Sequence, residues 1–292
     1  MELRNQLMTT TLRSPFFYYT SAPDISPEAE KYLREADTYF PKNDIQKITE
    51  CYKKALEKNP ESSYLLSNIG TLLAIQGAVS EGIKLLRKAI ERNNACVAAH
   101  HNLGAILLSH GVLEAALEHL QKAQELEPKE ANAQKTTTHE LEPRKAAICN
   151  NLGLVYLHLN QLDKAEECFE KALKENPNSE FAANNLGCIA YDKNNFDKAL
   201  SWFSKAQTIN PHNVSTMNNM ACTLFLKGET SQAIDLLYSC MDLNPQNRVA
   251  YFNLGFMVYN KKLIPTEQSS TEQSATEQSS TEQVKTEQSQ KQ

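Results

Sequence analysis

The stretch "NLGLVYLHLNQLDKAEECFEKALKENP" (residues 151–177) is followed by "NLGCIAYDKNNFDKALSWFSKAQTINP" (185–211), with Asn, Leu, Gly, Ala, Phe, Ala, Asn and Pro at matching places 34 residues apart. The opening returns in looser form as "SNIG" (67–70), "HNLG" (101–104), "NNMA" (218–221) and "FNLG" (252–255). The six asparagines, Asn68, Asn102, Asn151, Asn185, Asn219 and Asn253, are separated by 34, 49, 34, 34 and 34 residues. A fixed period in this range means stacked structural repeats.

With each Asn placed at position 6, the units begin at 63, 97, 146, 180, 214 and 248, and a weaker unit begins at 29. Position 8 is then Ala36, Gly70, Gly104, Gly153, Gly187, Ala221 and Gly255. Position 20 is Ile48, Gly82, Ala116, Ala165, Ala199 and Ala233, and position 24 is Tyr52, Leu86, Leu120, Phe169, Phe203 and Leu237. Position 27 is Ala in five units and Cys240 in the sixth, and position 32 is Pro in all but one, where it is Asn94. This describes two antiparallel helices. Small residues at 8 and 20 let the pair approach, a large residue at 24 fills the space beside them, and Pro closes the second helix. Gly inside a helix costs about 1 kcal/mol against Ala, so its recurrence implies a steric requirement. Asn59, Asn176, Asn210 and Asn244, just before the Pro, suit a left-handed turn.

The pattern resembles the tetratricopeptide repeat, a 34-residue helix-turn-helix. The resemblance implies an all-α fold, a right-handed α-solenoid of stacked repeats with a concave groove lined by first helices. Six full repeats and a seventh first helix cover 29–262. Residues 1–28 form a flexible extension, with Phe16-Phe17-Tyr18-Tyr19 read as packing on the first repeat or as a short motif for a partner or the groove.

Two stretches depart from the register. Residues 131–145 ("ANAQKTTTHELEPRK") are inserted between the third and fourth repeats, and "ELEPK" (125–129) is echoed by "ELEPR" (140–144). A polar surface loop is expected there, with at most a short helical turn. From 263 to 292 the chain becomes five Thr-Glu-Gln copies, too poor in apolar residues to offset ordering, and is expected to be disordered. The seventh repeat has no second helix, so Phe252, Leu254, Phe256 and Val258 cannot all be covered. That leaves a candidate surface for a homo-oligomer.

Positions 2, 5, 6, 9 and 13 share one side of a first helix. Asn at position 6 therefore points toward the groove, where its amide could meet the C=O and N–H of an extended chain. His101, Asn150, Asn184 and Asn218 at position 5, with Tyr64 and Phe181 at position 2, widen this floor. The array is similar to the Asn ladder of O-linked N-acetylglucosamine transferases, which implies peptide binding by these twelve residues. The bland alternative is that each Asn bonds within the scaffold, since Asn competes for local backbone partners. The carboxylate clamp of heat-shock co-chaperones does not fit, because positions 2 and 5 contain no Lys.

The remaining features point away from catalysis. No nucleophile-and-base pair, phosphate loop, metal signature or cofactor motif stands outside the repeat. His100-His101, with His110 and His119, lacks metal-ligand spacing on a helix. Cys188 and Cys222 both hold position 9, where small-residue packing outweighs a redox role. The seven cysteines are unpatterned, which reads as reduced thiols. A net charge of −5, of which the tail contributes −3, argues against nucleic acid, and no apolar run reaches membrane-spanning length. With no signal-like N-terminus, a cytoplasmic location is expected. The reading is a non-enzymatic scaffold or adaptor binding an extended or helical protein segment. The alternatives are a substrate-recruiting array related to a glycosyltransferase but without its catalytic domain, or a self-assembling repeat protein.

Overall fold

The computed structural model describes residues 25–134 and 138–263, and the side chains of all of these except 128–134, 138–143 and 261–263. The N-terminal aromatic run and the Thr-Glu-Gln tail lie outside the described residues. Among those described, thirteen α-helices and a 3₁₀ turn (Phe40–Lys42) occur, with no strand. They are α1 (Pro27–Asp37), α2 (Ile45–Lys58), α3 (Ser63–Ile75), α4 (Val79–Arg92), α5 (Val97–Ser109), α6 (Leu113–Gln134) and α7 (Thr138–His158). They continue as α8 (Leu162–Glu175), α9 (Glu180–Asp192), α10 (Phe196–Ile209), α11 (Val214–Leu226), α12 (Thr230–Leu243) and α13 (Arg248–Leu263). The fold is an all-α solenoid of helix-turn-helix repeats. The chain divides into two units, Met1–Asn219 and Met220–Gln292, with the division inside α11.

In the first unit each second helix packs on its own first helix, and α2, α4, α6 and α8 also pack on the next first helix. The small and large positions read from the sequence form that core. Ile48, Ala116, Ala165 and Ala199 at position 20 are fully buried, as are Leu86, Leu120, Phe169 and Phe203 at position 24. The glycines at position 8 are there for contact. A Cβ on Gly104 would lie 2.7 Å from Leu120 Cγ, and one on Gly153 2.6 Å from Phe169 Cε1. Three first helices start on side-chain caps in the same way: Ser62 and Ser179 Oγ accept from the N–H of Leu65 and Ala182, and Asn213 Oδ1 from that of Thr216.

The turns correct one expectation. Asn59, Asn176, Asn210 and Asn244 have φ between −132° and −141°, so none is left-handed. The following Pro bars that conformation and favours extended backbone. The side chains of Asn176, Asn210 and Asn244 instead accept the N–H two residues on, at 3.1–3.2 Å. The left-handed residues lie at position 15, between the two helices: Asn43, Gly77, Gly111, Asn160, Asn194 and Gly228, with φ from 51° to 92°. Only Gly and Asn occur there, in keeping with the cost of that region to other residues.

The insertion corrects another. Residues 131–134 and 138–145 are helical where a surface loop was expected: α6 runs on to Gln134 and α7 begins at Thr138, so both helices are lengthened. Pro128 and Pro143 lie inside them, which local propensity disfavours by about 3 kcal/mol each. The tertiary compensation is beside them. Arg144 Nη2 donates to Glu127 Oε1 at 3.0 Å with both side chains buried, and Lys145 Nζ lies 3.9 Å from Glu127 Oε2. The pair joins the first copy of the echoed pentapeptide to the second.

Candidate functional site

The first helices α3, α5, α7 and α9, with α11 as far as Asn219, carry the predicted row of the first unit. Their amides are not open. Asn68, Asn102, Asn151, Asn185 and Asn219 retain 0–6% of their accessible surface. Each amide from Asn102 onward is turned to the preceding repeat, where it donates to the residue at position 5. Asn102 Nδ2 donates to Ser67 Oγ at 3.4 Å, Asn151 Nδ2 to His101 Nε2 at 3.0 Å, and Asn219 Nδ2 to Asn184 Oδ1 at 3.1 Å. Asn185 Nδ2 lies 3.5 Å from Asn150 Oδ1, the longest rung.

The ladder is therefore a repeat-to-repeat staple. The expectation of amides standing free to grasp another chain is corrected for these five. The physical reason is depth: a helical wheel gives the direction of position 6 but not how far the neighbouring first helix covers it. Asn68 follows the same rule in negative. The preceding repeat offers Leu33 at position 5, and neither amide atom of Asn68 has a hydrogen-bond partner. Asn218 donates to Val214 O of its own helix at 3.0 Å. Asn253, in the second unit, is half-buried on α13.

His101 is the rung of different chemistry. Burial pushes its pKa from 6.5 down to about 4, with Arg144 acting in the same direction. Neutral imidazole can accept from Asn151 at Nε2, so the ring proton sits on Nδ1. His100 and His119 form a separate pair. His100 Nε2 donates to Asn94 O at 3.1 Å, so its Nδ1 accepts from His119 Nδ1 at 3.1 Å. Burial lowers both pKa values. Among the described residues no group of three or more His, Cys, Asp or Glu is placed to hold a metal ion.

Some position 5 and position 2 residues keep slightly more surface than the amides at 6: Tyr64 and Asn184 retain 8% each and Asn150 7%, while Phe181 is half-buried. Sequence reading missed two members of this network. Thr216 Oγ1 donates to Asn184 Oδ1 at 3.3 Å, and Cys188 Sγ lies 3.4 Å from Asn219 Nδ2. Thr216 stands three places before Asn219 and Cys188 three places after Asn185, but nothing in the period singled either out. None of the seven cysteines is in a disulfide, and burial pushes the Cys222 thiol up to about 11 and Cys188 higher still. A cavity of about 390 Å³ lies beside α6, α7 and α8, lined by Glu127, Lys145, Cys149, Lys171 and Lys174 among others. Burial raises the Cys149 thiol too, so this is no nucleophile site.

With fold and row described, the class is clear: the chain carries tetratricopeptide repeats. Family models described as tetratricopeptide repeat match residues 76–131, 146–179 and 181–213. No curated protein sequence matches. Among solved structures the chain is similar to a chain of the APC/C hetero-tetramer Cut9–Hcn1, at 17% identity and TM-score 0.67, over 88% of this chain and 45% of that one. It is also similar to PilF of Pseudomonas aeruginosa, at 17% identity and TM-score 0.63, over 77% of this chain and 95% of that one. A third is YrrB, reported as a tetratricopeptide-repeat protein with an unusual peptide-binding site, at 20% identity and TM-score 0.50, over 70% and 97%. At these identities the likeness establishes the fold.

Proposed function

We infer that this chain is a non-enzymatic scaffold that holds an extended or helical protein segment along its first-helix row. Tetratricopeptide repeats in general mediate protein–protein interaction. The observation that carries the reading is the chemistry of that row. Positions 2, 5, 6 and 9 of the second to fifth repeats contain no Lys, Arg, Asp or Glu. A wall of amide, hydroxyl, imidazole and apolar groups favours an uncharged, hydrogen-bonding segment over an acidic tail or a nucleic-acid backbone.

The amides act one step behind the contact. They hold successive first helices in register, so the wall needs little ordering when a ligand arrives, which favours affinity. Tyr64, Phe181 and the edges of Asn150 and Asn184 then meet the ligand. A cytoplasmic setting accords with cysteines outside any disulfide, and no described helix is long and apolar enough to cross a membrane. The test is affinity capture with full-length wild type beside Phe181→Asp, with folding checked by circular dichroism. Loss of a bound protein in the folded variant supports the site. An identical set of bound proteins refutes it.

A further inference from the structure

The last helix, α13, presents an unfilled socket. In four earlier repeats the position-8 glycine lies against the large residue at position 24 of its own second helix. A Cβ there would come within 3.0 Å of Leu86, Leu120, Phe169 or Phe203. At Gly255 a Cβ would meet no atom of the described residues within 4 Å. Gly255 is flanked one turn away on each side by Tyr251, 51% exposed, and Tyr259, 65% exposed. These three are at i, i+4 and i+8 and therefore share a face. Phe252 and Phe256 extend it around the helix, at 62% and 53% exposure, although Phe256 also meets Phe225 edge-on at 5.9 Å.

We propose that this notch is a docking site for an amphipathic helix of a partner protein, one that supplies a second-helix face. The shape of the socket states the partner's pattern. It carries a small residue, a large aliphatic or aromatic residue four places on, and a small residue three places after that. Ala165, Phe169 and Ala172 fulfil that role against Gly153 in the fourth repeat. The large residue seats on Gly255 between the two tyrosines. Charge narrows the partner further: residues 248–263 contain Arg248, Lys261 and Lys262 and no carboxylate, so an acidic flank is favoured. The 29 residues after Leu263 do not repeat the pattern, since Ile264, Ala275 and Val284 are their only aliphatic side chains. A second copy is disfavoured, because its own second helices are already packed on their glycines. This site is separate from the first-helix row, and either can fail without the other.

The probe is a fluorescein-labelled peptide of residues 161–177, QLDKAEECFEKALKENP, titrated with the full-length chain under reducing conditions and read by anisotropy. Saturable binding is expected, weakened about tenfold or more by Gly255→Leu in the chain or by Phe169→Ala in the peptide. Gly255→Leu has room on the surface of α13 and gains helix propensity, so the variant folds, as circular dichroism will show. Absence of saturable binding, or affinity unchanged by Gly255→Leu, overturns the proposal. So does a homodimer of the chain, seen by light scattering, that Gly255→Leu dissolves, since the occupant is then a second copy.

Discussion

Gly187→Ala and Gly255→Ala make the same chemical change at the same repeat position and should shift stability in opposite directions. Each replacement gains about 1 kcal/mol of helix propensity. At Gly187 the new methyl would sit 2.5 Å from Phe203 Cδ1 and 2.9 Å from Cζ, against an ordinary carbon–carbon contact of about 3.5–4.0 Å. Phe203 is fully buried, so the ring cannot swing clear without moving its neighbours. Overpacking of this kind costs about 1–3 kcal/mol, and a displacement near 1 Å belongs at or above the upper end. The net expectation is a loss of about 2 kcal/mol for Gly187→Ala, and a gain of about 1 kcal/mol for Gly255→Ala, whose methyl meets no atom of the described residues.

For an array of this size the loss corresponds to a melting temperature about 4–8 °C lower, read by circular dichroism on the full-length chain. A repeat touches only its neighbours, so α13 can open without the rest. Hydrogen exchange across residues 248–260 is therefore the measurement for the Gly255→Ala gain. Two shifts of the same sign would refute the argument that position 8 is glycine for contact with position 24.

Three further outcomes follow from the buried polar groups. His101 has a folded pKa of about 4 against 6.5, so between those values the unfolded chain binds a proton that the folded one does not; urea stability falls by about 3 kcal/mol as pH drops through that window, and His101→Asn, which keeps a rung, flattens its share. Asn68→Leu raises stability in urea by about 1–2 kcal/mol, because neither atom of its buried amide has a hydrogen-bond partner, whereas Asn151→Leu lowers it because His101 loses its donor. Arg144→Met costs about 3–5 kcal/mol in thermal unfolding by leaving Glu127 buried without its closest cation, and adding Glu127→Leu recovers most of the loss.

The repeat framework was legible because it is written in residue size at fixed intervals. Gly153, Ala165, Phe169 and Ala172 need only be counted. The second helices' Pro was legible as punctuation, but not its failure at Pro128. There the decisive partner, Arg144, is a tertiary contact, and the echoed pentapeptide was the only hint that the two helices would continue side by side. Position 15 was missed, although Asn43, Gly77, Gly111, Asn160, Asn194 and Gly228 announce a left-handed residue once aligned. The amides were read for direction and misread for depth. Their partners stand one position earlier in the repeat before, an offset that a single-helix projection does not display. The correlation was nonetheless present: Ser67 precedes Asn102, His101 precedes Asn151, Asn184 precedes Asn219, and Leu33 precedes Asn68, whose amide has no hydrogen-bond partner.

That correlation also indicates where this chain is open to others. In a one-dimensional array every interior surface belongs to two repeats, and here both members supply a group: a donor at position 6 meets an acceptor at position 5, and a glycine at 8 meets a large residue at 24. A break in either pairing can arise only where one member is atypical or absent. Two such breaks stand out. Leu33 of the first repeat leaves the Asn68 amide without a partner, inside a buried interface where no ligand is needed to explain it. Gly255 of the last repeat leaves a notch at the surface, framed by exposed aromatic rings whose hydration opposes leaving them bare. The first break is a local stability defect that Leu repairs; the second is a contact site, and filling it from within with Gly255→Leu should abolish binding while leaving the fold intact.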